Sequence, residues 1–179
     1  LVFPFKLELN NVSFHYPNSN FGINNISFSI DPGEKVAIVG ENGAGKTTIT
    51  KLIMRLYDPD KGGIFINDKS ICDYNLSKLR EKIGIAFQAT NVYALSLADN
   101  LNLYRENSDA ELLNTIKELD FDNIFDKSRG DLRIELTKEF EQNGLMLSNG
   151  EIQKIGIARI LNNNFGLLIL DEPSSSLDP

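Results

Sequence analysis

Three observations predict an α/β fold. Two amino-terminal stretches, KLELNNVSF (Lys6 to Phe14) and NISFSI (Asn25 to Ile30), alternate apolar and polar residues around the turn-rich break YPNSNFG, which reads as an antiparallel, hairpin-like region. A β-branched run, KVAIV (Lys35 to Val39), leads through a glycine-rich turn into a helical pattern from Thr47 to Leu56. A last helical pattern, Gly150 to Leu161, precedes the apolar run GLLIL. The expected architecture is a core of mixed or parallel strands flanked by helices. An antiparallel β subdomain precedes that core, and an α-helical subdomain is inserted at about residues 89–150.

The remaining elements follow the same logic. GIFI (Gly63 to Ile66) and IGIAF (Ile83 to Phe87) look like strands, and NLSKLREKI between them opens a helix capped by Asn75 or Ser77. From Ala89 to Asn143 the chain becomes polar and charged, with helical candidates at Ser96 to Leu103 and Asp109 to Leu119. No internal repeat, low-complexity tract or interdomain linker interrupts it.

Composition narrows the function classes. With 179 residues, 41% hydrophobic and 24% charged, the chain can bury the core of one domain. Its longest apolar stretch, Phe165 to Leu170, is far short of the roughly 20 residues that cross a bilayer. A membrane role therefore requires a partner. A net charge of -7 and a pI near 4.8 argue against a nucleic-acid partner, which needs a basic face. Cys72 is the only cysteine, so no disulfide or thiolate metal cluster forms within the chain, and it is expected to be an ordinary core or surface residue.

The sharpest motif is GENGAGKT, Gly40 to Thr47, which fits GxxxxGK[ST] between an apolar run and a helix. Gly40, Gly43 and Gly45, with Glu41, Asn42 and Ala44 between them, let backbone N–H groups approach phosphate oxygens. Lys46 supplies a mobile positive charge for the β and γ phosphates of ATP, and Thr47, followed by Thr48, offers a hydroxyl to Mg²⁺. These residues predict a P-loop NTPase core.

LLILDEP places Asp171 and Glu172 at the end of a run apolar enough for a buried strand with both faces covered. Alone, two such carboxylates are an ordinary solvated turn. With the phosphate loop upstream, Asp171 is expected to hold Mg²⁺, and Glu172 to polarise a water for attack on the γ phosphate.

LSNGE, Leu147 to Glu151, opens the last helix and resembles the LSGGQ signature of the ATP-binding cassette family; IQKIGIARIL after it resembles the family's signature helix. The resemblance runs from about Lys6 to Pro179 with motifs in family order. It implies that two cassettes sandwich two ATPs, with Ser148 and the Gly150 N–H donating to a phosphate bound by the other subunit. It also implies that Tyr16 stacks on adenine, that Gln88 touches Mg²⁺ or the attacking water and senses the membrane partner, and that Asp178 lies across the dimer interface.

Some positions depart from the family pattern. Asn149 replaces the first signature glycine, Glu151 the usual glutamine and Lys154 the common arginine. The family's switch histidine is not reached by Pro179, and His15, the only histidine, cannot serve for it. The expectation is a cassette incomplete at its carboxyl end over residues 6–179, which in isolation binds ATP weakly and hydrolyses it slowly or not at all.

The cassette type is read separately. About 100 residues without sustained heptads separate loop and signature, which excludes the DNA-repair type with its long coiled coil. NVYALSLADNL (Asn91 to Leu101) resembles the exporter segment LFxxSIxENI, and KEFEQNG (Lys138 to Gly144) resembles the exporter X-loop with Glu139 at its glutamate; both would touch a transmembrane domain. Residues 1–5 resemble the tail of a linker from a fused transmembrane half. The resemblance thus implies an ATPase motor for export at the cytoplasmic face of the membrane, as a homo- or heterodimer. The alternatives are a translation-factor ATPase and a catalytically silent nucleotide-binding switch.

Overall fold

Alternation builds the first sheet, and one break in that alternation shapes it. Strand β1 (Leu7–His15) buries Leu7 and Leu9 and then Val12 and Phe14, so the inward phase slips by one residue. The slip is a bulge at Asn10–Asn11: Asn11 takes a positive φ of 51°, and the register shifts there against both neighbouring strands. The computed structural model describes residues 5–19, 21–86, 91–119 and 121–171. They fall into two compact units, 1–84 and 85–179.

In the first unit β1 lies between β2 (Gly22–Ile30) and β3 (Lys61–Ile66), antiparallel to both, and β4 (Lys69–Ser70) extends β3 to give the order β2-β1-β3-β4. The expected hairpin is thus part of a four-stranded antiparallel sheet in which GIFI also pairs. Helix α1 (Lys46–Ile53) adds Ile49, Leu52 and Ile53 to the unit's buried apolar residues. It stops short of Leu56 because Arg55 adopts φ 51°. The N–H groups of Arg55 and Leu56 bond back to the carbonyls of Leu52 and Lys51 at 2.9 Å each, a Schellman closure. Arg80, just after Leu79 in α2 (Leu76–Arg80), donates to the carbonyls of Met54 and Arg55 at 3.1 and 2.8 Å, satisfying further orphan acceptors of α1. Asn75, not Ser77, caps α2 by accepting from the Lys78 N–H.

One expected strand is absent. Lys35–Val39 makes no strand pairing among the described residues, and Val39 is 88% exposed. A β-branched run is realised as a strand only against a ladder partner and a packed face, and propensity does not substitute for either.

The second unit is helical. Strands β5 (Ile83–Ala86) and β6 (Leu167–Leu170) form a two-stranded sheet, β5 beginning just before the boundary between the units. β6 is not covered on both faces as its apolar run suggested: Leu168 and Leu170 are 49% and 51% exposed, alternating with more covered neighbours. Helices α3 (Leu97–Leu101), α4 (Asp109–Glu118), α5 (Asp122–Lys127) and α6 (Asn149–Leu161) enclose a core of Leu97, Leu101, Leu112, Ile116, Phe121, Ile124 and Ile155. α3 and α4 match the two expected helices with Ser96 and Ser108 as their caps. α5 was not expected: it is six residues long and has no side-chain cap, so no periodic signal announces it.

Two buried polar side chains fasten this unit. Asn100 is fully buried, and its amide donates to the carbonyls of Tyr93, Leu95 and Ser96 at 2.9, 3.1 and 3.0 Å. Arg159, on α6 and 6% exposed, donates to the Asn100 carbonyl at 2.7 Å, to the Asn100 side-chain oxygen at 2.9 Å and to the Asn91 carbonyl at 2.7 Å. Burial pushes its pKa down, and carbonyls rather than a carboxylate surround the charge among the described residues. The loop before α3 and the last turns of α6 are thereby tied into one network.

No helix among the described residues is long and apolar enough to cross a membrane.

Candidate functional site

The glycine-rich loop leads into the start of α1, where no side chain caps the helix. Gly45 is the N-cap of α1 at φ 97°, no side chain caps the helix, and no acidic residue stands in its first turn. The positive end of the helix thus carries neither a side-chain cap nor an acid of its own. Gly43 and Gly45 both need positive φ, 84° and 97°. At Gly45 space is lacking as well, since a Cβ would sit 2.5 Å from Ile23 Cγ2. The Lys46 ammonium lies back across the loop, donating to the carbonyls of Gly40 and Glu41 at 2.8 and 3.2 Å. The Ala44 N–H bonds to the Glu41 carbonyl at 3.1 Å, closing the turn through Asn42.

Tyr16 stands close to this loop, its hydroxyl 3.4 Å from the Thr48 hydroxyl, and Thr48 is buried. Its ring is not isolated. Phe14 and Tyr57 meet it edge-on at 5.0 and 5.3 Å, Phe21 stands near-parallel at 6.0 Å, and the Lys51 ammonium lies 5.4 Å from its centroid. Sequence reasoning missed Phe21, Tyr57 and Lys51. The signal for Phe21 was the turn itself, since the Tyr16 N–H bonds to the Phe21 carbonyl at 3.1 Å and sets the two residues opposite each other.

In the second unit, Ser148 caps α6. Its Oγ accepts from the Glu151 N–H at 3.3 Å, while its own N–H donates to Glu151 Oε2 at 2.7 Å, a reciprocal capping box. Gly150 occupies the same first turn. Asp171 directly follows β6, and its N–H bonds to the Ala86 carbonyl at 2.9 Å, which puts it beside the carboxyl end of β5. Gln88, Glu172 and Asp178 lie outside the described residues. The structure thus groups Tyr16, Thr48 and Gly40 to Thr47 within the first unit, and Ser148, Gly150 and Asp171 within the second. Glu139 is exposed, and its N–H bonds to the Thr137 hydroxyl at 3.4 Å. Cys72 is an exposed free thiol, and His15 pairs with Asp60 at 3.2 Å.

A glycine loop on an uncapped helix, beside an aromatic cluster, defines a P-loop nucleotide-binding protein. The sequence pattern of the ABC transporter family matches residues 23–175, and the chain belongs to that family. It is 34% identical to the mitochondrial iron-sulfur clusters transporter ATM1 of Candida glabrata, over 98% of this chain and 24% of that protein. It is 38% identical to the beta-(1-->2)glucan export ATP-binding/permease protein NdvA of Agrobacterium fabrum, over 96% of this chain and 29% of that protein. Among solved structures, a bacterial Atm1-family ABC exporter with ATP bound superposes with a TM-score of 0.87 at 32% identity, covering 99% of this chain and 31% of that one. The chain therefore spans less than a third of the length of these relatives, and its fold is the ABC form of the P-loop NTPase.

Proposed function

We propose that this chain is the ATP-binding and ATP-hydrolysing cassette of a membrane exporter, closing with a second cassette around two nucleotides. The observation that carries the reading is the start of α1: two left-handed glycines, no side-chain cap or acid in the first turn, and a lysine lying over the same loop. That donor set suits a triphosphate, because backbone N–H groups take the oxygens individually and the ammonium serves several of them. Tyr16, with Phe21 beside it, offers an aromatic surface for adenine.

We assign Mg²⁺ to three residues by the chemistry of their side chains alone. A hydroxyl (Thr47) and a carboxylate (Asp171), with Gln88, suit a hard cation that keeps most of its ligands as water and substrate phosphate, and no cluster of three or more acidic, His or Cys side chains is needed or found among the described residues. When bound, the ion neutralises charge on the β and γ oxygens. Lys46 and the loop amides stabilise charge on the transferring phosphoryl group. Glu172 accepts the proton of the attacking water as the bond from the γ phosphorus to the ADP oxygen breaks. Ser148 and the Gly150 N–H contribute from the second cassette, whose identity as the same or a different chain is left to the assembly, and Asp178 faces it.

An exporter is favoured over a translation factor or a silent switch by the second unit. The first stretch that resembles an exporter motif is joined through backbone to residues 134–136, the segment just before the second: Leu136 N–H bonds to the Leu95 carbonyl and Leu97 N–H to the Ile134 carbonyl, each at 2.9 Å, with Ser96 bridging Glu135. Phe140, 84% exposed, and half-exposed Tyr93 and Leu95 flank that seam and suit a transmembrane partner at the cytoplasmic face of a membrane. Residues 1–5 would enter from that partner as a linker. The test is MgATP titration by calorimetry and steady-state ATPase of the full-length protein. Binding weakened roughly 10- to 100-fold in Lys46→Ala, together with binding kept and turnover lost in Glu172→Gln, is expected. Turnover surviving both changes contradicts the reading.

A further inference from the structure

The signature departs from its family at one charged position, and the structure supplies a counterpart from a different helix. Where a neutral glutamine is usual, Glu151 brings a carboxylate into the first turn of α6, the turn that the proposed function brings up to a nucleotide phosphate. Two anions at that range repel, and the helix dipole only partly offsets the clash. The carboxylate is not bare, however. Lys127, the last residue of α5, places its ammonium 2.6 Å from Glu151 Oε1, while Oε2 takes the Ser148 N–H at 2.7 Å. Both oxygens are engaged, and the Glu151 side chain is 12% exposed against 47% for Lys127. Burial alone would push the carboxyl pKa up, but the Lys127 bond and the bonds with Ser148 overcome it and hold Glu151 below the ordinary glutamate range. It is therefore anionic at neutral pH and depends on Lys127 for its neutralisation.

Lys127 is carried there by the fold. α5 is held by Phe121 and Ile124 in the core of the second unit, and its carboxyl end, where a cation is favoured, abuts the start of α6. We propose that Lys127 is a positioning residue of the signature: it cancels the Glu151 charge so that Ser148 and Gly150 present a neutral, donor-rich face to the triphosphate of the second cassette. This rests on the proposed function, because an ion pair with no phosphate opposite it would contribute only the small stability of a partly exposed pair.

The experiment is a charge cycle in the full-length protein, reading ATPase KM and kcat separately. Lys127→Met raises KM for MgATP about three- to tenfold with kcat at saturating ATP within twofold, the scale expected for one unbalanced charge near a phosphate. Glu151→Gln lowers KM slightly, and Lys127→Met with Glu151→Gln returns it to near the parent value. Lys127→Arg, which keeps the charge, also stays near the parent, and this separates charge from packing should Lys127→Met lower thermal stability. An unchanged KM in Lys127→Met, or a raised KM that Glu151→Gln fails to restore, overturns the inference. Lys46→Ala run alongside separates the two readings. If Lys46→Ala abolishes turnover while the Lys127 cycle is flat, only this inference fails; if Lys46→Ala is active, the proposed function fails first.

Discussion

Two helices in this molecule begin in opposite ways. α6 opens on Ser148 and Glu151, which satisfy each other's backbone amides through a capping box, and α4 opens on Ser108 and Glu111 in the same manner. α1 opens on a left-handed glycine, with no side-chain cap and no acid in its first turn. The capped ends are complete within the chain. α5 also lacks a side-chain cap, so a missing cap alone does not mark a binding end; what sets α1 apart is the missing cap together with two left-handed glycines before it and no acid in its first turn.

The largest effect that could break this contrast is at Gly45. Gly45→Ala forces a side chain into φ 97° and to within 2.5 Å of Ile23, so ATP binding is expected to vanish in calorimetry and stability to fall by roughly 2–4 kcal/mol in urea unfolding. Next comes Lys46→Ala, which removes a charged donor and lowers ATP affinity roughly 10- to 100-fold with thermal stability retained, since among the described residues the Lys46 ammonium bonds to loop carbonyls. An equal loss of stability would mean that the lysine holds the loop rather than the ligand.

The far end of α6 gives the next effect. Arg159→Leu strips donors from the buried carbonyl and side-chain oxygen of Asn100 and from the part-buried carbonyl of Asn91, and is expected to cost about 3 kcal/mol in denaturant unfolding. Ser148→Ala at the near end removes one cap and costs about 1 kcal/mol, with ATP binding at the α1 loop untouched.

The smallest effect is with pH. Hydrogen bonds with Ser108 hold Glu111 below the ordinary glutamate range; Glu151 is held there against the opposing effect of burial by Lys127 and Ser148. A lowered folded pKa means that their stabilisation is present above the ordinary value and is lost as pH falls through the folded one. Acid should therefore loosen the first turns of α4 and α6 below the ordinary glutamate range, measured by amide exchange, while α1, which has no acidic cap, shows no matching step.

The sequence made the loop, the α4 helix and the amino-terminal strand pair legible, because each rests on patterns within a few residues: the GENGAGKT spacing, the helical pattern from Asp109, and the alternation of β1. What it hid depends on distant partners. KLELNNVSF reads as one alternating stretch, and the bulge at Asn10–Asn11 shows only in its pairing with two neighbouring strands. Asn100 and Arg159 carry no local motif, and only packing across 59 positions makes them a network. Lys35–Val39 shows the reverse error, since a strong strand composition went unpaired. Lys127 carried no motif at all; its meaning comes from the carboxylate it meets.

Amide hydrogen exchange of the full-length protein with a non-hydrolysable ATP analogue and magnesium tests the contrast most directly. Below the concentration at which cassettes associate, protection is expected to rise at residues 43–48 and to stay level at residues 148–151, the latter changing only on association. Protection appearing first at 148–151, or none at 43–48 at saturating analogue, would contradict the assignment of the bare helix end to the phosphates.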